Sequence, residues 1–383
     1  MSVPNKRDGV LIGLVAALLV LGLLMVQSAS GPTALDWSGD SLYYVKRQAF
    51  GVAVGVAGAC GLAWMPYRWL REGAWAFYAL CMLGLSFCFV PGISHSANGA
   101  SRWIGMAGVH VQPSEFAKLA LVVCMADFLS RRAGALTDLK RVMVPALLIP
   151  APLMVLTLLE PDFGTTVLLA LTAGLVLFLA GLPLRWVGGL VALGVAAGIP
   201  LVLLFSYRMK RVMSFIDPWA DPAGTGYHVI QSMIAFSNGG LTGAGLGEGQ
   251  AKHLFLPEPW TDFVGAVFAE EAGLVGVLVL LGLYAALCWR GLAISRRAPD
   301  LFGTLVAGAL TALIGIQAAL NLGVEMGVLP PKGLVLPFMS YGPSALMCHL
   351  FSIGALLNVA AASSRARRPS FSAAPLPEAL RSA

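Results

Sequence analysis

The chain has 383 residues, of which 58% are hydrophobic and only 11% are charged, and its mean hydropathy is +0.80. A soluble globular domain carries about 25% charged residues, so the composition excludes an ordinary water-soluble fold and favours a bundle of membrane-spanning helices. The formal net charge of +6 arises from short basic clusters between apolar runs, a pattern typical of topology control rather than nucleic-acid binding.

Apolar stretches that could each cross a bilayer, which takes about 20 residues, occur along most of the chain. We predict ten spans, at residues 9–29, 44–65, 73–90, 114–131, 143–159, 163–180, 186–205, 263–289, 301–325 and 343–362. With the N-terminus inside, 16 Lys and Arg residues lie in cytoplasmic segments and 9 lie outside. This bias predicts that both termini are cytoplasmic.

The predicted class is an all-α polytopic membrane protein with one long structured outer loop. We expect residues 1–363 to form a single transmembrane domain and residues 364–383 to form a disordered cytoplasmic tail. The outer loop, about 206–262, follows the seventh span and contains a helix-like run at 227–237 and a glycine-rich turn at 239–249. Long structured loops are usually functional, so we expect function on the outer face.

Ionisable side chains within apolar spans are candidates for function, because a buried charge is costly unless it is paired or hydrated. Glu115 and Lys118 begin the fourth span on one helix face, where they can pair. The pair either fixes helix packing or supports catalysis. Glu270 and Glu271 are adjacent in the eighth span, so at least one should be protonated, paired or facing water.

Two further carboxylates lie at the outer ends of spans. Asp162 follows Glu160-Pro161, and Asp262 opens the eighth span. By chemistry alone, each is most simply explained as a helix-start carboxylate that the helix dipole favours. The glycine-rich turn fits neither GxGxxG nor a P-loop, so nucleotide binding is not predicted. The segment 330–342 is broken by Gly and Pro, which is tolerated at membrane depth only when the backbone is buried or lines a cavity.

Eight short motifs, in order over about residues 10–362, resemble those of the SEDS family, which includes FtsW and RodA. They are Asn98 to Ile104, Gln112 to Lys118, Pro161 to Gly164, Asp217-Pro218, Gly226-Tyr227 with Gln231-Ser232, Gly243 to Gly247, Leu256 to Glu258 with Thr261 to Phe263, and Lys332 to Gly342. Pro-Lys-Gly at 331–333 is more similar to the FtsW branch than to the RodA branch.

The resemblance implies a septal peptidoglycan glycosyltransferase in the bacterial cytoplasmic (inner) membrane, which polymerises lipid II with an active site facing the periplasm or outside. The implied partners are lipid II, an FtsI-like class B penicillin-binding protein that crosslinks the strands, other divisome membrane proteins and the lipid bilayer. No nucleic acid is expected. The alternatives are a RodA-like elongation polymerase, a lipid II flippase and a non-catalytic divisome scaffold.

The resemblance also implies roles for individual residues. Asp262 is the expected catalytic residue, either as a base or as a ligand of a divalent cation, Mg or Mn, that serves the pyrophosphate leaving group. Glu115 and Lys118 would line or brace the same cavity. Contacts with substrate or pyrophosphate are expected from a set of polar residues: Arg102, Gln112, Asp162, Lys252, Glu258, Lys332 and Ser340.

The chain departs from the family pattern at three positions. Trp260 occupies the place of a usual His before Thr-Asp-Phe, so a mechanism that uses that His cannot operate here. Pro343 replaces a second Gly after Tyr-Gly, and Gly249 replaces a common Ser. The catalytic interpretation is kept because Asp262 is present, while Trp260 keeps the scaffold alternative open.

Overall fold

A computed structural model describes residues 8–97, 100–106, 109–132, 134, 138–252, 256, 258–331 and 333–366. Within these residues the chain is mostly helical. The helices are α1 (Asp8–Ser38), α2 (Tyr43–Trp64), α3 (Tyr67–Glu72), α4 (Ala74–Phe87), α5 (Pro113–Ser130), α6 (Val144–Leu148), α7 (Pro150–Leu159), α8 (Phe163–Leu179), α9 (Leu184–Leu203), α10 (Ser206–Ile216), α11 (Tyr227–Gly239), α12 (Val264–Ser295), α13 (Leu301–Glu325) and α14 (Pro343–Ala366). Residues 367–383 of the predicted tail lie outside the described residues.

Each of the ten segments predicted to span the membrane overlaps at least one of these helices, and the segment 143–159 overlaps two, α6 and α7. Six helical segments are long and apolar enough to cross a bilayer, namely Gly9–Ser38, Lys140–Leu159, Leu184–Leu203, Val264–Ser295, Leu301–Glu325 and Pro343–Ala366. Two apolar helices are shorter, Ala74–Phe87 and Phe163–Leu179. The chain is therefore a multi-pass membrane protein, while the count of ten spans and the cytoplasmic termini stay predictions.

The helices leave large apolar side chains on the outside of the bundle. Helix α9, which the structure describes throughout, has no buried residue, and Leu193 on it is 64% exposed. Leu278 on α12 is 57% exposed. A contiguous apolar surface of this kind would associate in water, whereas in a bilayer it faces lipid.

Helices α2 and α14 pack closely because glycine allows their backbones to approach. A Cβ atom at Gly354 would lie 2.5 Å from the carbonyl oxygen of Ala59. A Cβ atom at Gly55 would lie 2.5 Å from the side chain of Leu350. Such small-residue contacts are how spanning helices associate where lipid removes the hydrophobic driving force.

Helix α13 contributes to both large apolar cores. Ile314 packs with residues of α1, α12 and α14 in one core, and Leu310 packs with residues of α4, α5, α7 and α8 in the other. Polar side chains on this helix are consequently placed at the centre of the bundle, which matters for the candidate site.

A three-stranded antiparallel sheet, between α4 and α5, was not predicted. Its strands are β1 (Ser94–Ala97), β2 (Ala100–Met106) and β3 (Val109–Val111), in the order β1-β2-β3. Ser94 pairs with Ile104, which in turn pairs with Val111. The all-α prediction is therefore wrong for this segment, where β-branched and aromatic residues favour strands.

The long loop carries α10 and α11 with a short 3₁₀ turn, Pro218–Ala220, between them. Helix α11 confirms the predicted helix-like run at 227–237. It packs against α12, and the Ser232 hydroxyl donates to the carbonyl of Glu325 at 2.6 Å. The loop is thus attached to the two helices that carry the candidate site.

Candidate functional site

Asp262 lies just before α12, outside the span itself. The N-cap residue of α12 is Phe263, and Oε1 of Glu325 accepts the Gly265 N–H at 3.1 Å. A carboxylate from α13 thus accepts one of the free N–H groups at the start of α12. The helix-cap explanation does not account for the Asp262 side chain, which is half-buried.

Burial raises the pKa of Asp262 to about 7, and four charged groups act on it. Arg211 and Arg102 lower the pKa, whereas Glu258 and Asp162 raise it. Three of the residues expected to contact substrate are therefore brought to Asp262. Arg211, on α10, was not among the predicted site residues. The basic cluster at 208–211 to which it belongs was the signal in the sequence.

Arg102, on β2, joins the sheet to the start of α8. Its Nη2 donates to the carbonyl of Pro161 at 2.7 Å, and its Nε lies 3.8 Å from Oδ2 of Asp162. Asp162 is the N-cap residue of α8 and accepts both the backbone N–H of Thr165 at 3.0 Å and its hydroxyl at 2.8 Å. The predicted helix-start role of Asp162 is confirmed.

The broken segment after α13 passes beside the Asp262 carboxyl. A Cβ atom at Gly333 would lie 3.5 Å from Oδ2 of Asp262. Leu336 is 1% exposed and residues 336–340 are all buried, as their irregular backbone requires, whereas Gly333 itself is exposed. The hydroxyl of Ser340 accepts the Leu336 N–H at 2.8 Å and is therefore used within this turn.

Glu115 and Lys118 form the predicted ion pair, with Nζ 2.7 Å from Oε2. Lys118 is 1% exposed and Glu115 is 5% exposed. Lys118 also donates to Oε1 of Gln317 at 3.3 Å, and Nε2 of Gln317 donates to the carbonyl of Val335 at 3.1 Å. The pair thereby supports the segment that lies beside Asp262.

Helix α13 carries a polar stripe that was not predicted. Gln317, Asn321 and Glu325 are spaced four residues apart on one helix face. Nδ2 of Asn321 donates to the carbonyl of Leu334 at 2.6 Å and to that of Asp262 at 3.3 Å. Helical spacing of polar residues in an apolar span was the signal that could have revealed them.

Lys252 lies in a buried ion pair. Its Nζ is 2.8 Å from Oε1 of Glu271 and 3.0 Å from the hydroxyl of Ser28, and it also donates to the carbonyl of Gly247. Glu270 accepts the Ala251 N–H at 2.8 Å. The prediction that at least one of the adjacent glutamates is paired is confirmed.

The other predicted contact residues are spread over the neighbouring loops. The Gln112 N–H donates to the Ser344 hydroxyl at 3.0 Å, which joins the start of α5 to α14. Glu258 is exposed and adopts a φ of 45°, a strained conformation of a kind that clusters at functional sites. Lys332 lies outside the described residues.

Trp260 packs in an aromatic cluster. Its ring centroid is 4.8 Å from that of Tyr44, which is 4.9 Å from that of Tyr341. The carbonyl of Trp260 accepts the Tyr341 N–H at 2.7 Å. An indole has no basic nitrogen, so Trp260 braces the Asp262 loop and cannot exchange protons.

The described residues contain no group of three or more His, Cys, Asp or Glu that could hold a metal ion. Mg²⁺ is, however, commonly held by one or two carboxylates together with substrate phosphates. Asp262 supplies one such carboxylate. Binding of a divalent cation at Asp262 stays a prediction.

Comparison with known proteins gives one consistent answer. A family model for FtsW, RodA and SpoVE, described as "Cell cycle protein", matches residues 9–365. A Geobacter metallireducens protein named "Probable peptidoglycan glycosyltransferase FtsW" is 40% identical over 355 residues, which are 93% of this chain and 95% of the relative. "Stage V sporulation protein E" of Bacillus subtilis is 38% identical over 93% of this chain and 97% of its own.

Two solved structures share the fold. One, described as "Structural coordination of polymerization and crosslinking by a peptidoglycan synthase complex", has a TM-score of 0.75 and 33% identity, over 92% of this chain and 97% of that chain. The other, the rod shape determining protein RodA of Thermus thermophilus, has a TM-score of 0.67 and 29% identity, over 92% of this chain and 95% of that chain.

Proposed function

Because the chain belongs to the FtsW, RodA and SpoVE family of cell cycle proteins, we propose that it is a peptidoglycan glycosyltransferase that polymerises lipid II at the division septum. The observation that carries the proposal is the Asp262 carboxyl, whose pKa burial raises to about 7 with Arg211 and Arg102 acting on it. Relatives named as FtsW glycosyltransferases support the reaction, and the description of the family as cell cycle proteins is the support for a role in division.

In this reaction the 4-hydroxyl oxygen of one sugar bonds to the anomeric carbon of another. The bond between that carbon and the lipid pyrophosphate breaks, and the pyrophosphate leaves with the bonding electron pair. Asp262 accepts the hydroxyl proton as the new bond forms. A base is most effective when its pKa lies near the working pH, and a pKa of about 7 meets this condition.

The leaving pyrophosphate needs compensating positive charge. Arg102 and Arg211 are the cations that act on Asp262, and guanidinium groups match phosphate oxygens in shape and charge. A divalent cation, when bound, would neutralise further charge on the phosphates. The phosphate oxygens would hold it, together with Asp262 in the alternative in which Asp262 is a metal ligand and not the base.

Glu115 and Lys118 act in this proposal through the groups that they position. The Lys118 ammonium contacts Gln317, and Gln317 contacts Val335 in the segment beside Asp262. The buried pair therefore holds the backbone around the carboxyl rather than the reacting atoms. A base held within about 0.5 Å of its working position is what efficient proton transfer requires.

The proposed partner is a class B penicillin-binding protein that crosslinks the new strands. Support comes from the solved relative that is described as a complex coordinating polymerization with crosslinking. The septal assignment leaves a RodA-like elongation role as the alternative within the same chemistry, since a RodA structure shares the fold.

The test is glycan-strand formation from purified lipid II, in detergent, with the cognate penicillin-binding protein and Mg²⁺ or Mn²⁺ present. Wild type is compared with Asp262→Asn and with Asp36→Asn, which removes an exposed carboxylate near the end of α1. We expect polymer from wild type and Asp36→Asn and none from folded Asp262→Asn.

Equal polymer from all three proteins would remove Asp262 from the chemistry. No polymer from any of them would favour the flippase or the scaffold. Lipid II transport across vesicles then separates these two alternatives.

A further inference from the structure

A pocket of about 380 Å³ has two lining residues, Glu160 and Pro161, whose carbonyls accept hydrogen bonds from Arg102. It is lined by Cys88, Phe89, Pro91, Ser94, Ser101, Leu159, Glu160 and Pro161. These residues come from the end of α4, from β1 and β2, and from the end of α7. Its volume falls in the range of about 300–1,000 Å³ that is usual for small-ligand sites.

Glu160 is the unusual member of this lining. It is 1% exposed, and neither of its carboxyl oxygens makes a hydrogen bond of normal geometry among the described residues; the Cys88 thiol in the same lining is the side chain that lies close enough to lower its pKa. Buried polar atoms in folded proteins are nearly always hydrogen-bonded, and an unsatisfied one carries a desolvation penalty. An orphaned carboxyl in the wall of a pocket is therefore suited to a ligand that supplies the missing partner.

The charge around the pocket favours a neutral ligand. Burial, with a smaller contribution from the nearby Asp162 carboxylate, raises the pKa of Glu160 to about 8 against the lowering effects of Cys88 and Arg102, so at neutral pH the carboxyl is mostly protonated. A protonated carboxyl both donates and accepts a hydrogen bond. Arg102 already donates to the carbonyls of Glu160 and Pro161, and its charge opposes a second cation.

The remaining walls are mixed in character. Phe89, Pro91 and Leu159 present apolar surface, while Ser94 and Ser101 add hydroxyl groups. A sugar ring has the same mixture, with apolar C–H faces and a rim of hydroxyl and amide groups. Arg102 also connects the pocket to Asp162 at 3.8 Å, and both residues act on Asp262.

We infer that this pocket is a saccharide subsite, in which Glu160 exchanges hydrogen bonds with a neutral N-acetylated sugar of the glycan strand. The inference rests on the proposed function, because it assigns the sugar to that reaction's substrate or product. A sugar held in this subsite would be positioned relative to Asp262 through Arg102, which contacts both the pocket and Asp162.

The experiment measures binding of a soluble oligomer of β-linked N-acetylglucosamine to the full-length protein by saturation-transfer NMR. The variants are Glu160→Leu, Glu160→Gln and Ser94→Phe, the last of which fills the pocket and leaves Glu160 in place. Glu248→Gln, an exposed carboxylate of the glycine-rich turn, is the matched control. Each variant must elute as the wild type does on size exclusion.

We expect Glu160→Leu and Ser94→Phe each to weaken binding by about tenfold, the loss expected when a buried hydrogen bond is removed. Glu160→Gln and Glu248→Gln should bind within about twofold of wild type, because an amide also donates and accepts. Unchanged binding in both Glu160→Leu and Ser94→Phe would overturn the subsite. Equal losses in Glu160→Gln and Glu160→Leu would overturn the neutral-sugar assignment.

Asp262→Asn separates this inference from the proposed reaction. We expect it to abolish polymerisation while binding the oligomer as wild type does. Loss of polymer without loss of binding supports both proposals. A wild type that polymerises lipid II and does not bind the oligomer would overturn the subsite alone.

Discussion

The side-chain amide of Asn321 donates to the main-chain carbonyl of Asp262 at 3.3 Å. The same nitrogen donates to Leu334 at 2.6 Å, so one side chain of α13 holds both the Asp262 backbone and the segment facing the carboxyl. Asp262 is consequently positioned from the centre of the bundle as well as from its own loop.

Asn321→Ala is expected to lower kcat by about 10-fold to 100-fold with little change in KM, because small displacements of a catalytic group are costly. The measurement is steady-state polymerisation by protein that elutes as folded. Asn358→Ala is the matched control, since Asn358 also donates to two carbonyls, those of Leu62 at 2.6 Å and Met65 at 2.8 Å. Equal losses in kcat would show a general folding effect and contradict positioning.

The pH dependence of polymerisation should report Asp262. Because burial raises its pKa to about 7, the basic form becomes scarce below that pH, and kcat/KM should fall by about tenfold for each further pH unit. Above about pH 8, where Asp262 is almost fully deprotonated, kcat/KM should no longer rise with pH on account of this group. A profile that stays flat down to pH 5 would contradict a base with this pKa.

Thermal stability should respond to Asp262 in the opposite sense. A carboxyl whose pKa is raised on folding binds its proton more tightly in the native state, so its contribution to stability falls as pH rises from the unfolded value, about 3.9, towards 7. Asp262→Asn should therefore raise the apparent Tm at pH 8, and the difference should shrink at pH 5. Asp36→Asn should show no such pH-dependent difference.

Lys252→Met should destabilise the protein by about 3–5 kcal/mol, because removing one partner of a buried ion pair leaves the other charge uncompensated. Lys252 is 4% exposed and lies 2.8 Å from Glu271. The double variant Lys252→Met with Glu271→Gln should recover part of that loss in thermal unfolding. Its polymerisation rate tests the predicted pyrophosphate contact, since a folded double variant with normal activity would remove Lys252 from the substrate site.

Short-range patterns in the sequence predicted the parts of the structure that depend on local chemistry. Apolar runs located the helices, the three-residue spacing of Glu115 and Lys118 predicted their ion pair, and the position of Asp162 predicted its helix-start role. Each of these interactions is made within one helix or at its end, so the information is contiguous in the chain.

The long-range parts of the site were less predictable. Lys252 is 19 residues from Glu271 in the chain, and Asn321 is 59 from Asp262, so nothing local indicates either contact. The sheet at 94–111 was missed because its strands are short and their pairing, rather than any long periodic pattern, defines them. Arg211 was counted only as a charge outside the membrane, since its approach to Asp262 depends on how α10 folds back.

Helix α12 is not continuous, because Gly273 has a φ of 64°. At this break the glycine-rich turn supplies the hydrogen bonding: Ala244 N–H donates to Glu270 at 2.9 Å, and Leu274 N–H donates to Gly240 at 3.0 Å. A Cβ atom at Gly273 would lie 2.3 Å from the backbone nitrogen of Gly243. Both segments therefore need a glycine where they cross.

The glycine-rich turn and the first turns of α12 are therefore held together by backbone hydrogen bonds. Separating them would sacrifice backbone hydrogen bonds worth roughly 0.5–1.5 kcal/mol each, together with the Lys252–Glu271 ion pair. A displacement of the turn would therefore be expected to move the first turns of α12 and the residues that precede them. Asp262 lies immediately before the N-cap residue of α12.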